Sequence, residues 1–264
     1  MAFGNKPLSN TTEEEKKSIK EFFKPSVDLE ILSGIKIGVY GRWKVGKTHF
    51  ALTAPLPIYV VDTEGSCKTN SKVFTTDRQH EIFISEVVNW ASKKDKKVDL
   101  MASLDAVMDS IDVLTDMIME NPDSSGTIVI DSASDIWDWL NQWLELTAER
   151  TKGGNINRLE WGKANRKYTE FMYMLLRSNW NVIMTFRSHE AVSDKGQSLG
   201  YDKPKWQKNT PYWLDLIAEL QYDGVNTIMK FRGDRFGRLT EDLKDPTWDS
   251  LMVYLKEKHN VVIK

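Results

Sequence analysis

The chain has 264 residues, of which 41% are hydrophobic and 28% are charged, and this composition is typical of a globular protein with one sizeable α/β core. Its formal net charge of -2 excludes a globally cationic protein, so any contact with nucleic acid must come from local basic patches. The single cysteine, Cys67, excludes an intrachain disulfide and a cysteine metal cluster, and the four histidines show no metal-ligand spacing.

Nothing in the sequence predicts an association with membranes. No apolar run approaches the ~18 residues that a membrane span needs, and the N-terminus lacks the apolar core of a signal peptide. We therefore expect a cytoplasmic protein without a membrane partner.

Residues 1–33 are predicted to form an N-terminal arm. Within this arm, the stretch 12–24 favours a short helix with acidic residues in its first turn, and Pro25 ends it. The remaining residues, 34–264, are predicted to form one core that ends in a short helix.

A phosphate-binding loop follows the first predicted strand. The pattern Gly, four residues, Gly-Lys-Thr occurs at 41–48 as GRWKVGKT, between a buried strand over 35–40 and a helix over 48–54. Its glycines allow a tight turn whose amide groups point at phosphate oxygens, and Lys47 is expected to reach the β- and γ-phosphates. The Thr48 hydroxyl is expected to ligate Mg²⁺. We predict that ATP binds to nine consecutive residues: Gly41, Arg42, Trp43, Lys44, Val45, Gly46, Lys47, Thr48 and His49.

The second predicted strand, 58–61, runs directly into Asp62-Thr63-Glu64-Gly65. Ligands of α/β proteins bind at the carboxyl ends of parallel strands, so a carboxylate in this place is a candidate for chemistry. Glu64 is the candidate base that orients the attacking water, and its alternative is a solvated side chain. Asp62 is a candidate cap of the turn.

A predicted helix and a predicted strand follow the second strand in the chain. After a strand over 81–88, apolar residues recur at helical spacing and predict an amphipathic helix packed on the sheet; they are Leu100, Leu104, Val107, Ile111, Leu114 and Ile118. The strand 127–131 (TIVID) then ends in Asp131, as a Walker B strand does. We predict that Asp131 holds the water shell of the Mg²⁺ bound at Thr48.

Two basic segments lie further along the chain. Residues 150–168 carry six basic side chains against a single acidic one, and residues 187–208 form a long polar segment with lysines, predicted to be a mobile loop. Each is either a solvated face or a groove for single-stranded DNA, in which charges meet phosphates and rings stack on bases. The interleaved aromatic residues are Trp161, Tyr168, Tyr201 and Trp206.

The last strands supply the remaining candidates. The strand 182–185 ends just before Arg187 and His189, either of which is a candidate sensor of the γ-phosphate. The segment 214–220 predicts a short helix or a strand edge. The strand 227–231 brings Lys230 and then Arg232 to one side of an extended chain, and a helix over 245–258 follows.

Together these motifs resemble the RecA-type ATPase core over roughly residues 33–240. The chain is most similar to the small phage and archaeal versions, the Sak-type single-strand annealing ATPases. The motifs that carry the resemblance are GRWKVGKT, VVDTEG, TIVIDSAS, NVIMTFRSH and MKFRGDR. It implies an α/β RecA-like P-loop fold with a mostly parallel central sheet flanked by helices on both faces.

The resemblance also implies roles for residues. Glu64 matches the catalytic glutamate of the family, and Lys230 and Arg232 match basic residues that reach the nucleotide of an adjacent subunit. The sensor of the family is usually Gln or His, where this chain has Arg187. The two basic segments match the family's DNA-binding loops.

The function implied is that of an ATP-hydrolysing homo-oligomer. It would bind single-stranded DNA and assist recombination, annealing or replication in a bacterial or archaeal cell, with a virus as a further source of the gene. Two alternatives stay open: a motor or packaging ATPase, and a nucleotide-gated scaffold or clamp with negligible turnover.

Overall fold

The computed structural model describes residues 34–95, 97–151, 154–193, 195–237 and 239–259. These residues fall in one compact unit. The predicted arm lies outside the described residues.

Strands and helices are numbered here in chain order. The strands are β1 Lys36–Gly41, β2 Ile58–Asp62, β3 Ile82–Glu86, β4 Trp90–Ser92, β5 Lys97–Val98, β6 Thr127–Asp131, β7 Asn181–Val192, β8 Ser198–Pro204, β9 Leu216–Tyr222, β10 Thr227–Asp234 and β11 Leu243–Lys244. The helices are α1 Lys47–Ala51, α2 Cys67–Ser71, α3 Thr76–His80, α4 Leu100–Glu120, α5 Ala133–Thr147, α6 Arg158–Leu176 and α7 Trp248–His259.

The main sheet has the strand order β11-β10-β9-β1-β7-β6-β2-β3. All neighbours from β9 to β3 are parallel, and β10 and β11 extend the sheet in antiparallel fashion. Strands β1 and β6 are buried along their whole length, which explains why the residues between their polar ends show no alternation of apolar and polar side chains. The parallel arrangement brings the carboxyl ends of β1, β2, β6 and β7 to one edge of the sheet.

Helices cover both faces of the sheet. One core contains side chains of α4, α5 and α6, among them Ile111, Leu140 and Phe171. The other contains side chains of α1 and α7, among them Phe50 and Leu251. The predicted fold class, α/β with a mostly parallel central sheet flanked by helices on both faces, is confirmed.

Helix α4 confirms the predicted amphipathic pattern. Five of the six apolar positions are buried, and Leu100, at the first turn, is partly buried against the same core. The segment 214–220 is resolved in favour of a strand, since β9 pairs with β1 in parallel.

The basic segment 150–168 is helical for most of its length, because α6 begins at Arg158. Residues 152 and 153 lie outside the described residues. Tyr168, predicted as a ring for stacking on bases, is fully buried, and its hydroxyl shares a hydrogen bond of 2.9 Å with the Thr210 hydroxyl. That prediction is wrong for Tyr168, because the helix turns this side chain into the core.

The segment 190–210, predicted as a mobile loop, contains the tip and one strand of a β-hairpin. Strand β7 continues to Val192 and pairs with β8 in antiparallel fashion. The first six residues of β7 are all buried, whereas most of the next six are exposed, so the apolar pattern stops although the strand does not. Trp206 packs edge-on against Tyr40 and Phe186, and this contact also withdraws its ring from the predicted groove.

Candidate functional site

The phosphate-binding loop leaves the end of β1 with the geometry that its glycines require. A Cβ at Gly41 would lie 2.4 Å from the Leu220 carbonyl oxygen on the neighbouring strand, so only glycine fits there. Gly46 has φ 92°, in the left-handed region that other residues avoid. Helix α1 then begins at Lys47, with the Phe50 amide donating to the Gly46 carbonyl at 2.9 Å.

Lys47 lies folded over its own loop. Its Nζ donates to the carbonyl oxygens of Gly41 at 3.0 Å and Arg42 at 2.7 Å. Burial lowers the pKa of Lys47, while the carboxylates of Glu64 and Asp131 act in the opposite direction. The ammonium group therefore points into a site where anionic phosphate oxygens are better partners than neutral carbonyls.

Asp131 lies at the carboxyl end of β6 and touches the phosphate-binding loop. The Thr48 hydroxyl donates to its Oδ2 at 2.7 Å, the Cys67 thiol donates to the same oxygen at 3.2 Å, and the Thr185 hydroxyl donates to Oδ1. Burial raises the pKa of Asp131, and the three donors lower it. The carboxylate is 1% exposed, and all three of these hydrogen-bond donors are neutral.

The oxygens of Thr48 and Asp131 fit Mg²⁺. This ion prefers one or two protein oxygens together with waters and substrate phosphates, rather than an all-protein cage. The described residues contain no group of three or more His, Cys, Asp or Glu side chains placed to hold a metal ion.

Arg187 bridges two carboxylates across the cleft. It lies opposite Gly41 in the pairing of β7 with β1. Its Nε donates to Glu64 Oε1 at 3.0 Å, and its Nη2 donates to Asp135 Oδ1 at 2.5 Å. Burial raises the pKa of Asp135, and the Arg187 guanidinium lowers it. The candidate sensor and the candidate base are therefore direct neighbours.

Asp62 caps the turn that presents Glu64. Its carboxylate accepts hydrogen bonds from the backbone amides of Glu64 at 3.0 Å, Gly65 at 2.7 Å and Cys67 at 2.9 Å. The turn-cap interpretation of Asp62 agrees with these contacts. Because the cap fixes the backbone at residue 64, the Glu64 side chain points into the cleft.

Lys47, Thr48, Glu64, Asp131 and Arg187 line one cleft of about 1040 Å³ at the carboxyl edge of the sheet. Val45 is buried beneath the loop, and His189 is exposed on the hairpin away from the cleft. The sequence-predicted residues that line it are Gly41, Arg42, Trp43, Lys44, Gly46, Lys47, Thr48, His49, Glu64, Asp131 and Arg187.

Lys230 and Arg232 do not line this cleft. The pairing of β10 with β9 shifts register between Phe231 and Gly233, so Arg232 lies at a bulge. Its Nε donates to Glu219 Oε2 at 2.8 Å within the same chain. The prediction that these residues serve an adjacent subunit stays a prediction.

Sequence reasoning missed three groups around the site. Thr185 follows the same rule as Asp131, a polar residue at the end of a buried strand, and this signal was present in the sequence. Asp135 and Asp202 carried no such signal, because their partners come from distant segments: Asp202 binds Arg42 in the loop with two hydrogen bonds of 2.7 and 2.9 Å.

Within the described ranges, none of the helices combines the length and the apolar character that crossing a bilayer requires.

Comparison with known proteins gives one family. The profile of the family described as AAA domain matches residues 33–257. No curated protein matches the chain in sequence.

Among solved structures, three similar chains are ATPases or a recombinase. A prototypical ATPase from the type III secretion system of pathogenic bacteria has a TM-score of 0.48 and 11% identity, over 72% of this chain and 52% of that one. The RadB recombinase has a TM-score of 0.48 and 16% identity, over 80% and 86%. The assembled ATPase EscN, in complex with its central stalk EscO from the type III secretion system of enteropathogenic E. coli, has a TM-score of 0.46 and 10% identity, over 72% and 43%. The chain thus spans about half of the first ATPase and less than half of EscN.

Proposed function

We propose a reaction for this chain, which belongs to the family described as AAA domain and is a P-loop ATPase. The chain binds ATP with Mg²⁺ in the cleft and hydrolyses it with Glu64 as the general base. The observation that carries this proposal is the contact between Thr48 and Asp131, two side chains 83 residues apart in sequence whose oxygens lie 2.7 Å apart. Glu64 and Arg187 line the same cleft.

Each residue has a defined task in this reaction. Lys47 exchanges its two carbonyl partners for β- and γ-phosphate oxygens. Thr48 and, through the water shell, Asp131 would hold Mg²⁺, which when bound would neutralise charge on the phosphates. Glu64 accepts a proton from water as the water oxygen bonds to the γ-phosphorus. The bond from that phosphorus to the bridging oxygen breaks, and ADP leaves with the electron pair. Arg187 stabilises the γ-phosphoryl oxygens from the opposite strand.

Two variants test this assignment. Lys47→Ala and Glu64→Gln are expected to abolish turnover, and Glu64→Gln is expected to retain ATP binding, because it removes only the base. Glu86→Gln is the matched control, since Glu86 also ends a strand of the sheet but is exposed and lies outside the cleft. Unchanged hydrolysis in Glu64→Gln would remove this residue from the mechanism.

We further propose that the ATPase binds single-stranded DNA and assists recombination, annealing or replication, as a Sak-type annealing ATPase does. Two exposed regions support this proposal after Tyr168 and Trp206 are set aside. Helix α6 carries Trp161, at 39% exposure, and the exposed Arg166 and Lys167 further along the helix, and the hairpin carries Tyr201, at 58% exposure, two residues before the exposed Lys203. Rings for bases and cations for phosphates are the elements of such a surface.

The DNA proposal is tested by ATPase rates and by salt. Strong stimulation by single-stranded DNA supports it, activity without stimulation favours a motor, and no turnover favours a scaffold. Binding is expected to weaken steeply with salt and in Arg166→Glu or Lys203→Glu, with Lys72→Glu as an exposed control outside both regions. Absent or salt-independent binding would refute the proposal.

The proposed homo-oligomer places Lys230 and Arg232 at the nucleotide of an adjacent subunit. This role requires Arg232 to exchange Glu219 for a phosphate of the neighbour. A mixture of Arg232→Ala and Glu64→Gln subunits, each inactive alone, is expected to regain activity, because some interfaces then carry both intact residues. A mixture without any recovery would place Arg232 in its own subunit only.

A further inference from the structure

Asp135 is a buried carboxylate that is fixed on both of its oxygens. It lies in the first turn of α5 and is 7% exposed. Its Oδ2 accepts hydrogen bonds from the hydroxyls of Thr63 at 2.9 Å and Ser132 at 3.3 Å. Its Oδ1 accepts Nη2 of Arg187 at 2.5 Å. Residues at the ends of β2 and β6 therefore fix Oδ2 of Asp135, and Oδ1 faces Arg187 on β7.

Arg187 is tied to this turn of α5 in two places. Besides the guanidinium contact with Asp135, the Arg187 backbone amide donates to the Ser134 hydroxyl at 3.0 Å. A guanidinium is a rigid planar fork, so a partner at Nη2 sets the direction of the Nε edge. That edge donates to Glu64 Oε1 at 3.0 Å.

We propose that Asp135 is a positioning residue for hydrolysis, which holds the Arg187 guanidinium between itself and Glu64 and acts on the reaction only through Arg187. The proposal rests on the function proposed above, in which Glu64 activates water and Arg187 meets the γ-phosphate. Asp135 itself does not line the cleft.

The physical reason lies in how one cation is divided between two anions. With Asp135 in place, Arg187 keeps one edge on a buried partner, and Glu64 competes only for the other edge. Without the charge of Asp135, the guanidinium turns to Glu64, and a carboxylate fully engaged by a cation is a weaker base. The guanidinium is then also no longer oriented to stabilise the γ-phosphoryl oxygens.

The test begins with Asp135→Asn, which keeps the shape of the side chain. We expect kcat to fall about 10- to 100-fold, as for other residues that orient an active-site group, while the affinity for a non-hydrolysable ATP analogue stays within about twofold. Asp138→Asn is the matched control: Asp138 lies one turn further along α5 and pairs with Lys205 at 2.6 Å, and its kcat is expected to change less than about twofold.

A double-mutant cycle decides between positioning and a merely structural role. If Asp135 acts through Arg187, Asp135→Asn causes no further loss of kcat in an Arg187→Ala background. Losses that multiply in the double variant, or a wild-type kcat in Asp135→Asn, would overturn the proposal. If Asp135→Asn lacks a cooperative unfolding transition, the same cycle is run with Asp135→Glu, which keeps the charge and displaces it.

The result also separates this proposal from the one on which it rests. Hydrolysis that survives Glu64→Gln contradicts the proposed mechanism whatever the cycle gives. Hydrolysis that is lost in Glu64→Gln, together with multiplying losses in the cycle, contradicts only the role of Asp135.

Discussion

Two groups of carboxylates at the same edge of the sheet differ in how their charge is balanced. Asp131 is surrounded by neutral hydroxyl and thiol donors, so its negative charge has no cation in hydrogen-bond contact. Asp135 and Glu64 share the guanidinium of Arg187. Both arrangements satisfy hydrogen bonds, and only the second brings a cation into contact with the carboxylates.

The difference separates a carboxylate whose cation comes from the chain itself from a carboxylate that is left to bind an external cation. A buried anion without a cation costs free energy, and it persists where an external cation binds. A buried anion with a resident cation is already neutralised and serves to orient that cation. The comparison predicts that the two groups respond to substitution with opposite signs.

Asp131→Asn is expected to have the largest effect. ATP hydrolysis should fall by about 10³-fold, because the charge left for Mg²⁺ is removed. Without nucleotide, the free energy of unfolding should rise by about 1 kcal/mol, since a neutral amide replaces a buried anion that has no cation in hydrogen-bond contact. ATPase assays and urea denaturation measure the two quantities, with Asp138→Asn as control. A variant that loses both activity and stability would contradict the comparison.

Lys36 tests, for a cation, the rule that a buried charge without an oppositely charged group in hydrogen-bond contact costs free energy. It is 5% exposed, and its Nζ donates only to carbonyl oxygens among the described contacts, those of Ser178 at 2.8 Å and Trp180 at 2.6 Å. Burial lowers its pKa from 10.5 to about 8, against an opposing effect of Asp215. The cost of burying the Lys36 ammonium lowers the free energy of unfolding in full well below pH 8, where Lys36 carries its proton in both the folded and the unfolded chain.

Stability should therefore rise as the pH increases from 8 to 10.5, because in this window the unfolded chain binds more protons than the folded one. The rise should be about 3 kcal/mol in total. Urea denaturation across this range is expected to show the rise in the wild type and in the exposed-site control Lys72→Met, and to lose it in Lys36→Met. The same slope in Lys36→Met would assign it to other groups.

Asp135→Asn should change stability in the opposite direction to Asp131→Asn. Breaking the pair with Arg187, whose side chain is 46% exposed, is expected to lower the free energy of unfolding by about 2 kcal/mol, less than for a fully buried pair. Urea denaturation without nucleotide measures both variants side by side. Equal signs for the two would remove the distinction between balanced and unbalanced carboxylates.

Thr185→Val should have the smallest effect. It removes one neutral donor to Asp131 and leaves the charge in place, so the Mg²⁺ concentration for half-maximal nucleotide binding is expected to rise about tenfold. Thr169→Val is the control, since the Thr169 hydroxyl binds a backbone carbonyl of its own helix. An unchanged Mg²⁺ requirement would mean that the other donors orient Asp131 alone.

The parts of the candidate site whose local structure the sequence predicts are continuous in sequence. The phosphate-binding loop and the strand ending in Asp131 each carry their signal within a few residues, and sheet geometry brings them together. The contacts of Arg187 with Glu64 and Asp135 depend on three separate segments, and no local pattern encodes them.

The wrong predictions concern segments in which the burial of the side chains changes within a single strand or helix. Strand β7 leaves the core after Phe186, so its exposed half lacks the apolar pattern by which strands are predicted. In α6 the charged residues suggested an exposed surface, whereas Tyr168 lies on the buried face of the same helix. Both errors concern the surfaces assigned to DNA.

Strand β7 is one unbroken element of 12 residues, about 40 Å long at the usual rise per residue. It carries Thr185, whose hydroxyl donates to Asp131, then Arg187 beside Glu64, and then the outer half of the hairpin. Its inner half pairs with β1 and β6, and its outer half pairs with β8, with one register shift between Glu190 and Val192. We expect a displacement of the outer half to be transmitted along the strand to Thr185 and Arg187 and, through the pair of Arg42 with Asp202, to the tip of the phosphate-binding loop.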